Sequence, residues 1–359
     1  MNKEISKVFQ VAAVFIGTIV GAGLASGKEI TQFFTSYGFK SFFGIALTGC
    51  FYIFLCSIIS KLSIDNNLNS YADVIALVTK GNDGNPFLSV LSKGTTLITT
   101  FYILSSASII LAGCGSLINE YFGIPKIVGT ALMLILAVII LWRGTDGLIG
   151  INTIIVPSLI ITIVTLMGLY VFFYKDAITL QKLQSIVPIK KGWLISSILY
   201  SGYNILSCSG VLVPLSREMK SKKAVIAGII LGSLGLSVLC VFINLMLMLN
   251  QPNIYSYDIP LLYIADRFGT PIQLLLLVVI WLEMFSTEVS DVYSISRSLQ
   301  NVFKLPFKSC IFIVLAIAFP ISQLGFTNLI SILYPIFGML SLLFIAQCLY
   351  YYFFKRNKG

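Results

Sequence analysis

The sequence contains no histidine, and only 11% of its 359 residues are charged. Acidic side chains are scarcer than basic ones, with 14 Asp and Glu against 24 Lys and Arg. An ordinary soluble domain carries about 25% charged residues. A water-soluble fold of this length could not cover its surface with so few, so a cytosolic enzyme, a nucleic-acid-binding protein and a disordered chain are all excluded. Without histidine, haem ligation by imidazole and histidine proton relays are impossible, and a proton carrier has to be chiefly a carboxylate or a lysine. No CxxC pair occurs among Cys50, Cys56, Cys114, Cys208, Cys240, Cys310 and Cys348. All seven fall in apolar segments and read as small packing residues, not as a zinc site or a disulfide framework. The alternating segments of about ten residues that mark an outer-membrane barrel are also missing.

What is present is apolar. The chain is 57% hydrophobic, its mean hydropathy is +0.94, and it has long apolar runs such as Ile127 to Trp142 and Ile272 to Leu282. A membrane-crossing helix needs about 20 apolar residues. Ten segments qualify, at 8–36, 39–61, 93–119, 126–142, 151–174, 192–216, 222–250, 271–297, 308–322 and 326–354. The fold class is therefore an all-α integral membrane protein with ten transmembrane helices. The shorter stretches 70–80 and 258–268 are predicted as loop helices. Lys3 and Lys7 precede a run too long for a cleaved signal, so the first segment is read as a retained span.

Placing the N-terminus in the cytoplasm puts about 16 basic residues on the inner side and about 7 on the outer, as the positive-inside rule requires. Arg217 to Lys223 and the tail Lys355 to Lys358 dominate the inner set. Both termini are then cytoplasmic. The +10 net charge reads as topology signal and attraction to the anionic lipid bilayer, with no nucleic-acid partner.

Two segments are interrupted. The first contains Gly21-Ala22-Gly23-Leu24-Ala25-Ser26-Gly27-Lys28-Glu29, where each glycine weakens a helix by about 1 kcal/mol. Unwound backbone at membrane depth is tolerated only where it is buried in protein or lines a cavity, so its freed N–H and C=O groups can hold a ligand. Close helix packing through Gly17, Gly21 and Gly23 is the competing explanation. Lys28 and Glu29 count against packing alone, because charges beside the break need partners or a wet cavity. The sixth segment carries Tyr203, Asn204, Ser207, Ser209 and two glycines at its middle, and a serine-rich packing face is the alternative there. The two breaks lie five spans apart, and paired interrupted segments are the best sequence pointer to a transporter site.

The eighth segment holds three carboxylates in nine residues. Helical periodicity puts Glu283, Thr287, Ser290, Asp291 and Ser294 on one face and points Glu288 elsewhere. Buried carboxylates pair, protonate or bind cations. Oxygen-only ligands suit a hard cation such as Na⁺, so Glu283, Thr287 and Asp291 are candidate coupling residues, with a structural salt bridge near Arg297 as the alternative. Asn152, Pro157 and Asn244 read as packing or kink residues, Arg143 to Gly147 as a tight turn, and Tyr334-Pro335 as a kink in the tenth span.

The run Phe15-Ile16-Gly17-Thr18-Ile19-Val20-Gly21-Ala22-Gly23-Leu24-Ala25-Ser26-Gly27-Lys28-Glu29-Ile30 resembles the first span of the YkvI-like bacterial membrane proteins. These are relatives of the amino acid–polyamine–organocation (APC) superfamily. The resemblance implies a LeuT-type fold in the bacterial inner membrane. That fold has two inverted five-helix repeats, here 1–175 and 176–359, with helices 1 and 6 discontinuous. It also implies a substrate site between Gly21–Gly27 and Tyr203–Gly210, and a sodium site from Gly17, Val20, Ser286, Thr287 and Ser290.

The function expected is a non-enzymatic secondary transporter, coupled to Na⁺ or H⁺, for a small polar solute such as an amino acid, a related zwitterion or an amine. In this reading N–H groups at Gly21, Ala22, Gly23, Ala25, Ser26 and Gly27 hold the solute's carboxylate. Asn204, Ser207 and Ser209 contact its other end, and Lys28, Glu29 and Glu288 gate the site or pair charges. No cofactor beyond a possible Na⁺ ion is expected. A transporter-like receptor that senses a solute without moving it is the second reading.

Overall fold

The computed structural model describes residues 3–68, 70–79, 86–143 and 148–355. Its helices, in chain order, begin with α1 (Lys3–Ile19), α2 (Ala22–Ser26), α3 (Lys28–Phe33), α4 (Lys40–Phe51), α5 (Ser57–Asp65) and α6 (Tyr71–Thr79). Then come α7 (Pro86–Phe122), α8 (Lys126–Arg143), α9 (Leu148–Tyr174), α10 (Leu180–Ser185), α11 (Trp193–Met219) and α12 (Lys222–Leu249). The last are α13 (Pro260–Asp266), α14 (Thr270–Phe303), α15 (Phe307–Ser322) and α16 (Phe326–Tyr350). Among the described residues, seven helical stretches are long and apolar enough to cross a membrane, and Lys126–Trp142 and Phe307–Ser322 are shorter apolar helices. The first segment is divided into α1, α2 and α3. The two expected loop helices appear as α6 and α13. The turn expected at 144–147 and the basic tail 356–358 lie outside the described residues.

The second span has a feature that no composition signal announces. Between α4 and α5 the backbone forms one π-helical turn, Tyr52–Cys56, of the kind that often marks functional positions. It turns Tyr52 fully inward against Phe15, with ring centroids 5.9 Å apart.

Helix packing places the broken first segment at the centre. α1 lies along α12, α11 and α9; α2 touches α14, α13 and α7; α3 touches α12, α11 and α16. Large exposed apolar side chains such as Phe172, Phe173, Ile161 and Phe312 coat the outside, as lipid contact requires.

The sixth segment differs from expectation. Helix α11 is continuous from Trp193 to Met219, with Pro214 inside it. Its glycine and polar residues have another purpose. A Cβ on Gly202 would stand 2.4 Å from Ser341 Oγ, and one on Gly338 would stand 2.6 Å from Leu199 O, so the two glycines let α11 and α16 meet closely. Ser201 Oγ donates to Ser197 O (2.7 Å), Asn204 Nδ2 to Tyr200 O (3.0 Å) and Ser209 Oγ to Ile205 O (2.6 Å). Ser, Thr and Asn side chains that bond back one turn keep a helix satisfied without unwinding it. Helix α16 likewise runs on through Pro335.

This contact yields a first prediction. Gly338→Ala forces a methyl group onto the Leu199 backbone, which cannot swing aside as a side chain would. A loss of about 1–3 kcal/mol is expected, seen as a lower unfolding temperature in detergent. Unchanged unfolding would mean that the α11–α16 contact is looser than the structure shows.

Candidate functional site

The helical ladder of α1 ends where the Val20 N–H donates to Ile16 O (2.8 Å), and it resumes where the Ala25 N–H donates to Gly21 O (2.9 Å). Between them Gly21 is extended, with φ −110° and ψ −172°. The carbonyls at the end of α1, from Gly17 to Val20, therefore lie past the last rung, as at any helix C-terminus. A second break falls at Gly27, whose φ of +80° is left-handed and favours glycine. A Cβ there would also lie 2.9 Å from Leu261. The Gly27 N–H donates to Leu24 O (2.9 Å), and Ser26 Oγ donates to Gly23 O (2.9 Å) while accepting from the Lys28 N–H (3.2 Å). The Gly27 N–H, like that of Ala25, is consumed within the chain and is not open to the carboxylate expected there.

The residue that fills the break is Glu29. Its carboxyl lies over Gly23: a Cβ at that glycine would come 2.1 Å from Glu29 Oε1. Glu29 is only 4% exposed. Tyr203, Tyr334 and Tyr200 line its carboxyl. The rings of Tyr203 and Tyr334 stack at 4.6 Å, and Tyr200 meets Tyr203 edge-on at 5.4 Å. Phe33 closes the group from α3, with centroids 5.3 Å from Tyr200 and 5.9 Å from Tyr203. The hydroxyls of Tyr200 and Tyr203 face this carboxyl without completing a hydrogen bond of full geometry, and Glu29 Oε2 and the Tyr52 hydroxyl are left without a partner among the described residues. Buried polar atoms are nearly always paired, so such a concentration of unpaired ones marks functional chemistry.

Lys28, the neighbour of Glu29, points away from this cluster. Its ammonium donates to Tyr257 O (2.6 Å) and is 6% exposed. The segment 257–259 is tied down on every side. Glu120 of α7 accepts from the N–H groups of Asp258 (2.5 Å) and Ile259 (3.1 Å). Asp258 accepts from Lys126 Nζ (2.5 Å), Ser116 Oγ (2.8 Å) and the Thr327 hydroxyl. Burial disfavours the charged form of Asp258, but its bonds from Lys126, Thr327 and Ser116 outweigh that and hold the carboxyl below its ordinary range. No local pattern marks Glu120, Lys126 and Asp258 as partners, because residues 120, 126, 258 and 327 meet only once α7, α8, α16 and the segment before α13 converge.

A group whose carboxyl titrates low when folded contributes stability above the ordinary range near pH 4, and loses it as acidification passes through the folded value. Asp258→Asn should therefore remove about 1–3 kcal/mol at neutral pH. It should also raise hydrogen exchange across 253–268 and flatten the loss of protection below about pH 4. Wild-type exchange in the variant would show that these bonds do not hold the segment.

Helix α14 supplies the other half of the site, rotated from expectation by about one residue. Ser290 and Ser294 are exposed, and Thr287 is only half-buried. Thr287 Oγ1 donates to Glu283 O (2.9 Å) and Ser294 Oγ to Ser290 O (2.8 Å). The hydroxyl stripe is thus satisfied by its own helix and needs no inward face. The buried stripe runs instead through Met284, Glu288, Val292 and Ile295. Glu288 is 0% exposed and neither of its oxygens has a partner among the described residues; Asp291 Oδ2 is also unpaired. The two carboxyls are within electrostatic reach of each other, with Ser106 beside Asp291. Glu283 and Ser286 are buried on the same helix. Asp291 and Glu29 both act on Tyr102 and Tyr334, and Tyr102 reaches Ser207. One polar centre therefore links Glu29, Tyr203, Ser207, Asp291 and Glu288. Asn204, Ser209 and Ser290 do not join it. Gly17 packs on Val156, 3.2 Å from its would-be Cβ, and Val20 is buried beside the first break.

The ion pairs among the described residues are Lys7–Glu4 (3.1 Å), Lys126–Asp258 and Lys222–Asp65. None touches the central carboxyls. An open cleft lies beside Lys191. Gln32, Phe33, Ser196, Leu199 and Pro335 are among its walls, and Phe33 is common to the cleft and the tyrosine group.

No family model matches the chain. Over 351 residues it is 29% identical to the membrane protein YkvI of Bacillus subtilis (strain 168), covering 97% of each chain. It is 28% identical over 340 residues to YyaD of the same organism, covering 94% of this chain and 95% of that one. Among solved structures, the inward-facing conformation of Mhp1 superposes with a TM-score of 0.71 at 14% identity, over 98% of this chain and 77% of that one. A Na⁺-coupled sialic acid symporter in a substrate-bound outward-open state gives 0.65 at 14% identity, over 97% and 79%. The chain is thus similar over nearly its whole length to the membrane protein YkvI and to YyaD, and it has the LeuT-type fold of those transporters.

Proposed function

We propose that this protein is a secondary active transporter that uses a Na⁺ or H⁺ gradient to take up a small solute bearing an amino group, an amino acid or a related amine. The observation that carries this reading is the polar centre at the first-helix break. There Glu29, with an unpaired oxygen, stands over Gly23, while both oxygens of Glu288 and Oδ2 of Asp291 on the facing helix lack a partner among the described residues. A buried carboxylate without a partner is costly until a proton or cation neutralises it, which is what coupling demands. The oxygen donors are of the type a hard cation prefers: carbonyls from Gly17 to Val20, the Ser286 and Thr287 hydroxyls, and the carboxylates of Glu288 and Asp291. The symporters that share the fold support the same mechanism. The halves 1–175 and 176–359 would act as inverted five-helix repeats making up ten spans in the bacterial inner membrane, with both termini cytoplasmic. Access would alternate by rocking of one bundle against the other.

The test is uptake of labelled amino acids and amines into proteoliposomes under imposed Na⁺ or H⁺ gradients. Uphill accumulation that collapses with the gradient is expected. Uptake that only equilibrates, whatever the gradient, would exclude coupled transport.

A further inference from the structure

We propose that the solute is recognised by its ammonium group, which binds between the Glu29 carboxylate and the rings of Tyr200, Tyr203 and Tyr334, so that amines without a carboxylate are preferred to zwitterionic amino acids. This deepens the transport reading by naming the substrate class, and it rests on that reading for the identity of the site.

The observations are geometric. The break in the first segment holds a side-chain carboxylate where a backbone cradle for a substrate carboxylate was expected. Glu29 Oε1 occupies the space over Gly23, and the Gly27 and Lys28 N–H groups are bonded within the chain. An anionic substrate group placed there would face Glu29 directly, and like charges at contact distance repel strongly where water is excluded. Among the described residues no Lys or Arg forms an ion pair with Glu29. The Lys28 ammonium is committed to Tyr257 O on the far side, and none of the ion pairs among the described residues reaches the cluster.

A cation fits the same surroundings. Tyr200 is fully buried and Tyr203 nearly so; their hydroxyls face the Glu29 carboxyl without completing a hydrogen bond of full geometry, and Glu29 Oε2 has no partner among the described residues. A primary ammonium has three donors and no acceptor. It can donate to Glu29 Oε2 and to tyrosine oxygens at once, and it gains further from the faces of the rings. Phe33, which packs on Tyr200 and Tyr203 and also lines the open cleft, supplies an apolar wall for the alkyl or aryl remainder. The other carboxyls of the centre, Asp291 and Glu288, add negative potential from α14 and make the site more favourable for a cation.

The experiment measures binding to the purified full-length protein in detergent, without any gradient, by thermal shift and titration calorimetry. The probes are matched triads: alanine, ethylamine and ethanol; leucine, 3-methylbutylamine and 3-methylbutanol; phenylalanine, 2-phenylethylamine and 2-phenylethanol; and lysine with 1,5-diaminopentane and 1,5-pentanediol. In at least one triad the amine should bind about tenfold or more tighter than the isosteric alcohol, and at least as tightly as the amino acid. Glu29→Gln should weaken that amine about 100-fold, in line with loss of a buried charge partner, and Glu29→Asp by less. The wild-type comparison requires no variant, so a misfolded Gln protein does not decide the matter. Three results overturn the proposal: no amine binds; decarboxylation weakens binding more than about tenfold; or Glu29→Gln leaves amine affinity within about twofold. Binding without gradient-driven uptake would sink the transport reading and leave ammonium recognition standing. Coupled uptake of a neutral or anionic solute would do the reverse.

Discussion

Gly23→Ala is expected to reduce uptake by more than about 100-fold while lowering stability by no more than about 2 kcal/mol. The reason is the position of the new methyl group. It would fall 2.1 Å from Glu29 Oε1, 2.4 Å from Cγ and 2.5 Å from Cδ, so the carboxyl cannot stay where it is. Glu29 is a flexible side chain and can rotate aside, unlike the backbone that Gly338→Ala would strike. The fold therefore survives and the site does not. The effect should be absent when the carboxyl is absent. In a Glu29→Ala background, Gly23→Ala should cost almost nothing in unfolding temperature, and the double-mutant cycle should show coupling of about 1 kcal/mol or more. Additive effects in that cycle, or substantial uptake by Gly23→Ala, would show that Glu29 does not need the space over Gly23.

Glu288→Gln is expected to abolish the dependence of uptake on the ion gradient and to make the protein more stable. Glu288 is fully buried, and both of its oxygens lack a partner among the described residues. An unpaired carboxylate in such a place costs several kcal/mol after relaxation. An amide costs less, because it carries no charge to desolvate. A gain of about 1 kcal/mol, seen as roughly 2 °C in unfolding temperature, together with a hundredfold or greater loss of coupled uptake, is the pattern of a residue kept for function at the expense of stability. Asp291→Asn should uncouple as well, with a smaller gain, since Asp291 has Ser106 beside it. Lower stability combined with intact gradient dependence in Glu288→Gln would mean that Glu288 is a structural residue.

The fate of the polar segments shows how far pattern alone reaches. The break at Gly21–Gly27 was legible because three glycines in seven residues have no apolar periodicity to compensate them. The structure interrupts the helix there, at extended Gly21 and left-handed Gly27. The sixth segment shows the same residue types, but its glycine answers a neighbouring helix and its polar side chains bond back one turn, so it stays helical. A glycine that permits unwinding and a glycine that permits contact look identical until the partner helix is in place.

Helix α14 shows a second limit. Its hydroxyls and carboxyls suggested one face, but hydroxyls can satisfy themselves on the i−4 carbonyl and carboxylates cannot. The carboxylate with no exposure is therefore Glu288, one step from the hydroxyl stripe, while Glu283 of the expected face is buried as well. Reading the apolar stripe Met284, Val292 and Ile295 first would have placed Glu288 inside, because those residues and Glu288 share a face at i, i+4, i+8 and i+11.

The amino-acid sequence by itself determined that this is a helical membrane protein with many long apolar helices, and that its first segment breaks beside a charged pair. Those properties follow from solvent: hydrocarbon forbids unpaired backbone and rejects charge, so composition and periodicity are enough to reveal them. Only the tertiary structure decided which charges form the site. Lys28 and Glu29 are adjacent in sequence, yet one turns to Tyr257 and the other into a ring of tyrosines from α11 and α16. That choice is made by side chains more than 170 positions away, through packing that no local pattern encodes.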